Sequence, residues 1–177
     1  MTQYQTVADD EVVLRDGTIK LHGPAAFEAM RRAGRLAAET LDALVPLVQP
    51  GVTTGEIDDF VRQFTLDHGA VPATLGYRGY AHSCCTSINN VICHGIPGDK
   101  VLRDGDIVNI DVTPLLDGWH GDSSRMYLVG DVPLKARRLV EQLAADHCRS
   151  GGICVIASHQ PFAVPGLERL ELAGFRA

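Results

Sequence analysis

Ile107-Val108-Asn109-Ile110-Asp111-Val112, then Asp117-Gly118, then Trp119-His120-Gly121-Asp122-Ser123-Ser124 is the stretch that decides the fold. The first six residues read as a strand. Asp-Gly is the residue pair that a tight two-residue hairpin turn favours. Trp119 to Val129 then reads as the return strand. If Asp117 and Gly118 form the loop, Leu116 faces Trp119, Thr113 opposes Asp122 and Asp111 opposes Ser124. Opposed residues share a sheet face, and so do residues two apart. Asp111 and Asp122 are then diagonal neighbours on one face, roughly 7–8 Å apart between backbones or less. A register slip of two would set them directly opposite. In either register the two carboxylates converge on a small volume. Left bare, they repel and one pKa rises. A divalent cation, or a pair about 3.5–4 Å apart, removes that penalty. The plain alternative is a solvated hairpin face. The hairpin supplies two donors, whereas metals that take oxygen and nitrogen ligands need roughly four to six.

Upstream, Cys84 to Cys93 reads as a strand closed by the Gly95-Ile96-Pro97-Gly98 turn, and Asp104-Gly105 marks a second turn. His94 ends that strand, where it can contact a ligand lying over the sheet; a capped surface or core histidine is the plain alternative. His120 is placed to hydrogen-bond a carboxylate from outside a metal's ligand set, or to stand as an exposed strand residue. Further upstream, Phe27, Met30, Ala33, Leu36, Ala37, Leu41, Leu44 and Val45 recur at helical spacing. That helix starts near Pro24 and stops by Pro50-Gly51. Thr53-x-x-Glu56 predicts a capping box for a second helix to about Leu66, with Ile57, Phe60 and Val61 on its apolar face and Gly69 as its stop. Downstream, Pro133 opens a third helix carrying Ala136, Leu139, Val140 and Leu143. Ile153-Cys154-Val155-Ile156-Ala157 reads as a short buried strand.

Composition sets outer bounds. The chain has 177 residues, 45% hydrophobic and 21% charged, which are globular values. A net charge of −6 gives no reason to expect nucleic acid or an anionic membrane as partner. No apolar run reaches a membrane-spanning length, and the polar start lacks a signal-peptide core. The expected location is the cytoplasm. Five cysteines, Cys84, Cys85, Cys93, Cys148 and Cys154, form no C-x-x-C pair and read as reduced, small buried hydrophobes.

Several motifs carry a family resemblance, in order and in register. They are Gly76-Tyr77-Arg78-Gly79-Tyr80, Cys85-Thr86-Ser87-Ile88-Asn89, Val91-Ile92-Cys93-His94-Gly95-Ile96-Pro97, Asp104-Gly105-Asp106 through Val112, and Asp117 through Arg125. Together they strongly resemble type I methionine aminopeptidase over about residues 1–141. The resemblance implies an α+β class and the pita-bread fold, an antiparallel sheet with flanking helices, present here as its N-terminal half. It implies removal of the initiator methionine from nascent chains by two divalent metal ions (cobalt, manganese, iron or zinc) that activate a bridging water. It makes Asp111 the bidentate metal ligand and Asp122 the bridging one. It makes His94 the catalytic histidine that contacts substrate, and it places Tyr77, Tyr80 and Cys85 along the methionine pocket. The implied partner is the N-terminal methionine of nascent polypeptides, with ribosome association as a further expectation and no nucleic acid or membrane required.

The resemblance stops short of the family's second half, which supplies one more histidine and two glutamates as metal ligands. Neither His147 nor His159 lies in a matching context. The tail, residues 142–177, is similar instead to the C-terminal end of the ABC-type ATPase subunit of a haem exporter, with His159 at the place of that family's γ-phosphate sensor. No phosphate-binding G-x-x-x-x-G-K-[ST] loop accompanies it. The expectation is therefore a truncated metalloaminopeptidase, inactive as a lone chain. The alternatives are a non-catalytic fragment and a fusion product with a nucleotide-binding-subunit-like tail. A half sheet is expected to expose apolar surface and to be marginally stable or to oligomerise.

Overall fold

The computed structural model describes residues 4–6, 19–133, 146 and 149. The chain divides into two compact units, residues 1–131 and 132–177. The helix expected from Pro133, the strand expected at 153–157 and the tail carrying His159 lie outside the described residues.

The first unit is α+β. Its elements in order are β1 (Tyr4–Thr6), β2 (Ile19–Leu21), α1 (Pro24–Ala43), α2 (Thr54–Asp67), β3 (Val71–Pro72), a 3-10 turn (Tyr77–Gly79), β4 (Cys84–Ile88), β5 (Ile107–Val112), β6 (Pro114–Leu116), β7 (Trp119–His120) and β8 (Ser123–Leu128). Strands β1 and β2 pair in parallel. The other two sheets are antiparallel, ordered β4-β5-β8 and β3-β6-β7. Among the described residues no helix is long and apolar enough to cross a membrane.

The hairpin closes as its turn chemistry requires. Asp117 and Gly118 both take positive φ, 50° and 83°, the geometry of a mirror-image turn that matches strand twist. Leu116 pairs with Trp119, Val112 with Ser123 and Asp111 with Ser124. One register therefore runs through the whole ribbon, as the turn predicted. The ribbon is nevertheless broken into two pairs of strands at Thr113 and at Gly121-Asp122, where it passes from one sheet to the other.

Cys84, Ile88, Val108, Ile110, Val112 and Tyr127 project to one face of the β4-β5-β8 sheet and pack with Leu41, Leu44, Ile57 and Val61 of the helical layer. Each such side chain contributes roughly 1.5–3 kcal/mol by leaving water. Polar ties fix the layers. Tyr127 donates its hydroxyl to the Leu41 carbonyl at 2.6 Å, and burial pushes its pKa up to about 12. Arg125 reaches the same carbonyl at 3.3 Å and the Asp42 carboxylate at 2.8 Å.

The α1 face differs from its expectation at three positions. Ala26, Ala33, Leu36, Ala37, Thr40 and Leu41 are buried, whereas Phe27, Met30 and Val45 are exposed. The cause is a close approach. Gly121 of the ribbon lies so near Ala33 that a Cβ would stand 2.1 Å from the Ala33 carbonyl oxygen. Only a stripe of small residues admits backbone at that range, so the contact stripe runs along the alanines and larger neighbours are left outside.

In α2 the capping box forms as read. Thr53 Oγ1 accepts from the Glu56 amide at 3.1 Å, and Glu56 accepts from the Thr53 amide at 2.7 Å. The Thr53 amide, then the Thr53 hydroxyl, hold the Glu56 pKa below its ordinary value of 4.5. A depressed folded pKa means a contribution that is whole above pH 4.5 and fades as pH falls through the lower folded value. Glu56→Ala should therefore lower the thermal midpoint at pH 7, and the gap from the parent chain should narrow as the solution is acidified below pH 4.5. A gap unchanged by pH would show that the carboxylate does not cap.

Candidate metal and substrate site

Strand β4 is shorter than its sequence suggests. It ends at Ile88, not Cys93, because Asn89 enters the left-handed region at φ 52°. The Asn89 side chain then donates to Asp106 at 2.8 Å and accepts from the Ile107 amide at 3.0 Å, turning the chain out of the strand. His94 thus sits on an exposed loop, itself at φ 55°, rather than at a strand end. The loop is brought back to the sheet by Gly95. Its carbonyl accepts from the Thr86 amide at 2.7 Å, and its amide donates to Ser87 Oγ at 3.1 Å. A Cβ at Gly95 would lie 2.1 Å from the Thr86 carbonyl oxygen, so glycine is what permits His94 to border β4.

The sheet face turned away from the helical core is polar. Cys85 stands opposite Asp111, and Asp111 opposite Ser124. In the next row of that face Ser87 opposes Asn109, and Asn109 donates to Ser124 Oγ at 3.4 Å. Asp122 lies just before β8, and its Oδ1 accepts from the Thr113 hydroxyl at 3.2 Å. Burial, then the negative charge of Asp122, push the Asp111 pKa above the ordinary carboxylate value, while His94 pulls it down. Asp122 and His94 therefore both lie within electrostatic reach of Asp111. No donor among the described residues hydrogen-bonds the Asp111 carboxylate. A half-buried, unsatisfied carboxylate beside a second one suits a divalent cation. Among the described residues no group of three or more His, Cys, Asp or Glu side chains is arranged to hold a metal. Among the described residues the two aspartates fit part of a metal seat.

Tyr80 joins this face from the loop before β4. Its hydroxyl donates to the Cys84 carbonyl at 2.8 Å and meets Cys85 Sγ at 3.5 Å. Burial raises the Cys85 pKa, the Tyr80 contact opposes the rise, and Asp111, Asp58 and Cys93 add to it, so the thiol stays protonated at neutral pH. Tyr77 stands apart. It lies on the 3-10 turn, 63% exposed, with the Arg78 guanidinium 5.4 Å over its ring. His120 is exposed and pairs with Leu115; among the described residues it bonds no carboxylate.

The sequence reading passed over Asp58. This α2 residue is buried among Thr54, Ile57, Val61 and Thr65. Its Oδ1 accepts from the amides of Ser83 at 2.7 Å and Cys84 at 3.0 Å, and its Oδ2 lies 3.2 Å from His82 Nδ1. Hydrogen bonds to a charged group contribute about 1.5–3 kcal/mol each. A carboxylate falling on the apolar stripe of a helix was the available signal.

The first unit is thus an antiparallel sheet backed by helices, with Asp111 on its open face and Asp122 within electrostatic reach of it. The model of metallopeptidase family M24 matches residues 28–157, and the chain belongs to that family. Within the family its likeness is to methionine aminopeptidases. The protein of that name from Rickettsia prowazekii is 57% identical over 124 residues, covering 70% of this chain and 48% of the relative. The Escherichia coli K12 methionine aminopeptidase is 53% identical over 123 residues, covering 68% and 47%. The crystal structure of the Rickettsia prowazekii enzyme superposes with a TM-score of 0.69 at 55% identity, covering 75% of this chain and 53% of that one. The fold is thus that of the pita-bread enzymes, and the chain spans about half the length of the curated relatives it matches.

Proposed function

We propose that this chain carries the aspartate-bearing half of a methionine aminopeptidase site. That protein would remove the initiator methionine from nascent polypeptides. The observation that carries the reading is the row Cys85–Asp111–Ser124 on the open sheet face, with Asp122 and His94 in electrostatic reach of Asp111. In this reading Asp111 and Asp122 hold divalent ions, whether cobalt, manganese, iron or zinc. When bound, such ions supply Lewis-acid polarisation of a carbonyl and a lowered pKa for water. The chain's own side chains do the rest. His94 donates a hydrogen bond to the substrate as negative charge develops on its carbonyl oxygen. Tyr80 and Cys85 offer an apolar, polarisable wall suited to a thioether; Tyr77, exposed on the 3-10 turn, lies apart from that wall. A cytoplasmic setting near the ribosome fits this substrate and the free thiols of Cys84, Cys85 and Cys93.

We assign the aminopeptidase part to residues 1–141 and the haem-exporter-like tail to residues 142–177. Alone, the 177-residue chain should show little turnover, because among the described residues two carboxylates, too few to hold a metal pair, face the site. Incubated with manganese or cobalt and a Met-Ala peptide, it should release methionine at least about 1,000-fold more slowly than a full-length relative. Release at the relative's rate would overturn this. A second reading is a binding module without catalysis, favoured by the lack of a third metal-binding side chain among the described residues. It requires that a methionyl peptide bind under chelator, and it fails if titration to millimolar peptide detects nothing.

A further inference from the structure

We propose that Asp58 is a positioning residue for the candidate methionine pocket, acting through the entry of β4 on Tyr80 and Cys85. The inference rests on the pocket assignment above, but its geometry stands apart from the metal seat. Among the described residues strand β4 pairs with a strand, β5, on one edge only. On the other edge the Thr86 amide is met by the Gly95 carbonyl, and the Cys84 amide by Asp58. Asp58 therefore satisfies the outward amide of the first residue of β4, and it holds Ser83 as well.

Three links run from this carboxylate to the pocket. The first is covalent, since Cys84 is fixed next to Cys85. The second is the Tyr80 hydroxyl, which donates to the Cys84 carbonyl at 2.8 Å, so the backbone that Asp58 anchors is also the backbone on which Tyr80 rests. The third is His82, whose Nδ1 lies 3.2 Å from Asp58 and whose ring meets the Tyr80 ring edge-on at 5.5 Å. Asp58 is 10% exposed at its side chain and His82 is 31% exposed, so the carboxylate is inside and the imidazole joins it to the surface. Cys84 Sγ, 3.5 Å from Asp58, completes the set, and burial followed by the Asp58 charge keeps that thiol protonated. A buried carboxylate that accepts two amides and faces an imidazole does not tolerate displacement, because each donor left unpaired costs a desolvated polar group.

The test compares Asp58→Ala, Asp58→Asn, His82→Ala and Val61→Ala in the full 177-residue chain. Val61 lies on the same helix in the core and reports loss of stability alone. Two readouts are taken: methionyl-peptide affinity under chelator, and the NMR resonances of the Tyr80 ring. Asp58→Ala is expected to weaken the peptide about tenfold and to move the Tyr80 ring signals. Asp58→Asn keeps an oxygen for the two amides and should restore both. Val61→Ala should change neither. His82→Ala, at a partly exposed position that folding tolerates, should move the Tyr80 signals even if Asp58→Ala fails to fold. Affinity and Tyr80 signals unchanged in Asp58→Ala, or changed equally in Val61→Ala, would overturn the proposal. If Asp58→Ala does not fold, unmoved Tyr80 signals in His82→Ala overturn it. If the parent chain binds no methionyl peptide under chelator, the binding-module reading fails, as above. The Tyr80 signals then decide the positioning role by themselves.

Discussion

Gly121→Ala should cost at least about 3 kcal/mol, the upper part of the range for overpacking, and should unfold much of the chain at 37 °C. Position 121 has no spare volume. A Cβ there would stand 2.1 Å from the Ala33 carbonyl oxygen and 2.5 Å from its carbon, both backbone atoms of α1. Real Cβ atoms do not approach backbone so closely, and no side-chain rotation relieves the clash. Either the helix or the ribbon must retreat, and the ribbon carries Asp122 as its next residue. The loss should therefore appear twice, as a fall in the denaturant midpoint and as a shift of the Asp122 amide signal in whatever fraction stays folded. A midpoint within about 0.5 kcal/mol of the parent chain, the scatter of neutral surface changes, would mean that α1 and the ribbon are further apart than described. Gly118→Ala is the internal control. It meets nothing within 4 Å, so its cost is only the strain of a positive φ in the turn.

Manganese binding by the chain should be weak, and Asp111→Ala or Asp122→Ala should each abolish what there is. Removing an outer partner of a metal ligand already costs about 10–100-fold in affinity, so removing one of two carboxylate donors should cost more. Paramagnetic resonance of free manganese, titrated with chain, measures this directly. Equal binding by the parent chain and both variants would place the cation elsewhere and remove the aspartate pair from the proposed chemistry. The metal-free chain should respond in the opposite sense. Asp111 has a folded pKa raised by burial and by Asp122. Its contribution to stability is present below the unfolded pKa and is lost as pH rises through the folded value. Asp111→Asn removes that neutral-pH penalty, so the variant should melt slightly higher than the parent chain without metal, while losing the stabilisation that manganese gives.

The ribbon was legible in the sequence because the turn dictates it. Asp117-Gly118 fixes both loop length and backbone sign, and the pairing of Asp111 with Ser124 follows by counting. The capping box at Thr53 was legible for the same reason, since both partners are local. What could not be read were contacts between distant backbones. Asn89 ends β4 by bonding residues 106 and 107, far along the chain, so the β-branched run misled on where the strand stops. Phe27 and Met30 sit at helical spacing from the core residues, but the approach of Gly121 to Ala33 decides which side of the stripe is covered. Of the candidate site residues, Tyr80 meets Cys85, Cys85 stands opposite Asp111, and Asp122 and His94 lie within electrostatic reach of Asp111. Tyr77 is left on an exposed turn, because three left-handed residues at 76, 78 and 79 send the chain outward there.

The unbroken register of the ribbon makes it a measuring rod. Asp111 stands five positions before Leu116, and Asp122 three positions after Trp119. With side chains alternating, a single extra codon between the turn and either acid would carry that carboxylate through the sheet to the helical side. The length of the hairpin between the acids and the turn is therefore as constrained as the turn residues themselves. The spacing between the two acids is thus the part of this gene in which a frame-preserving insertion does the most damage for the least change in composition.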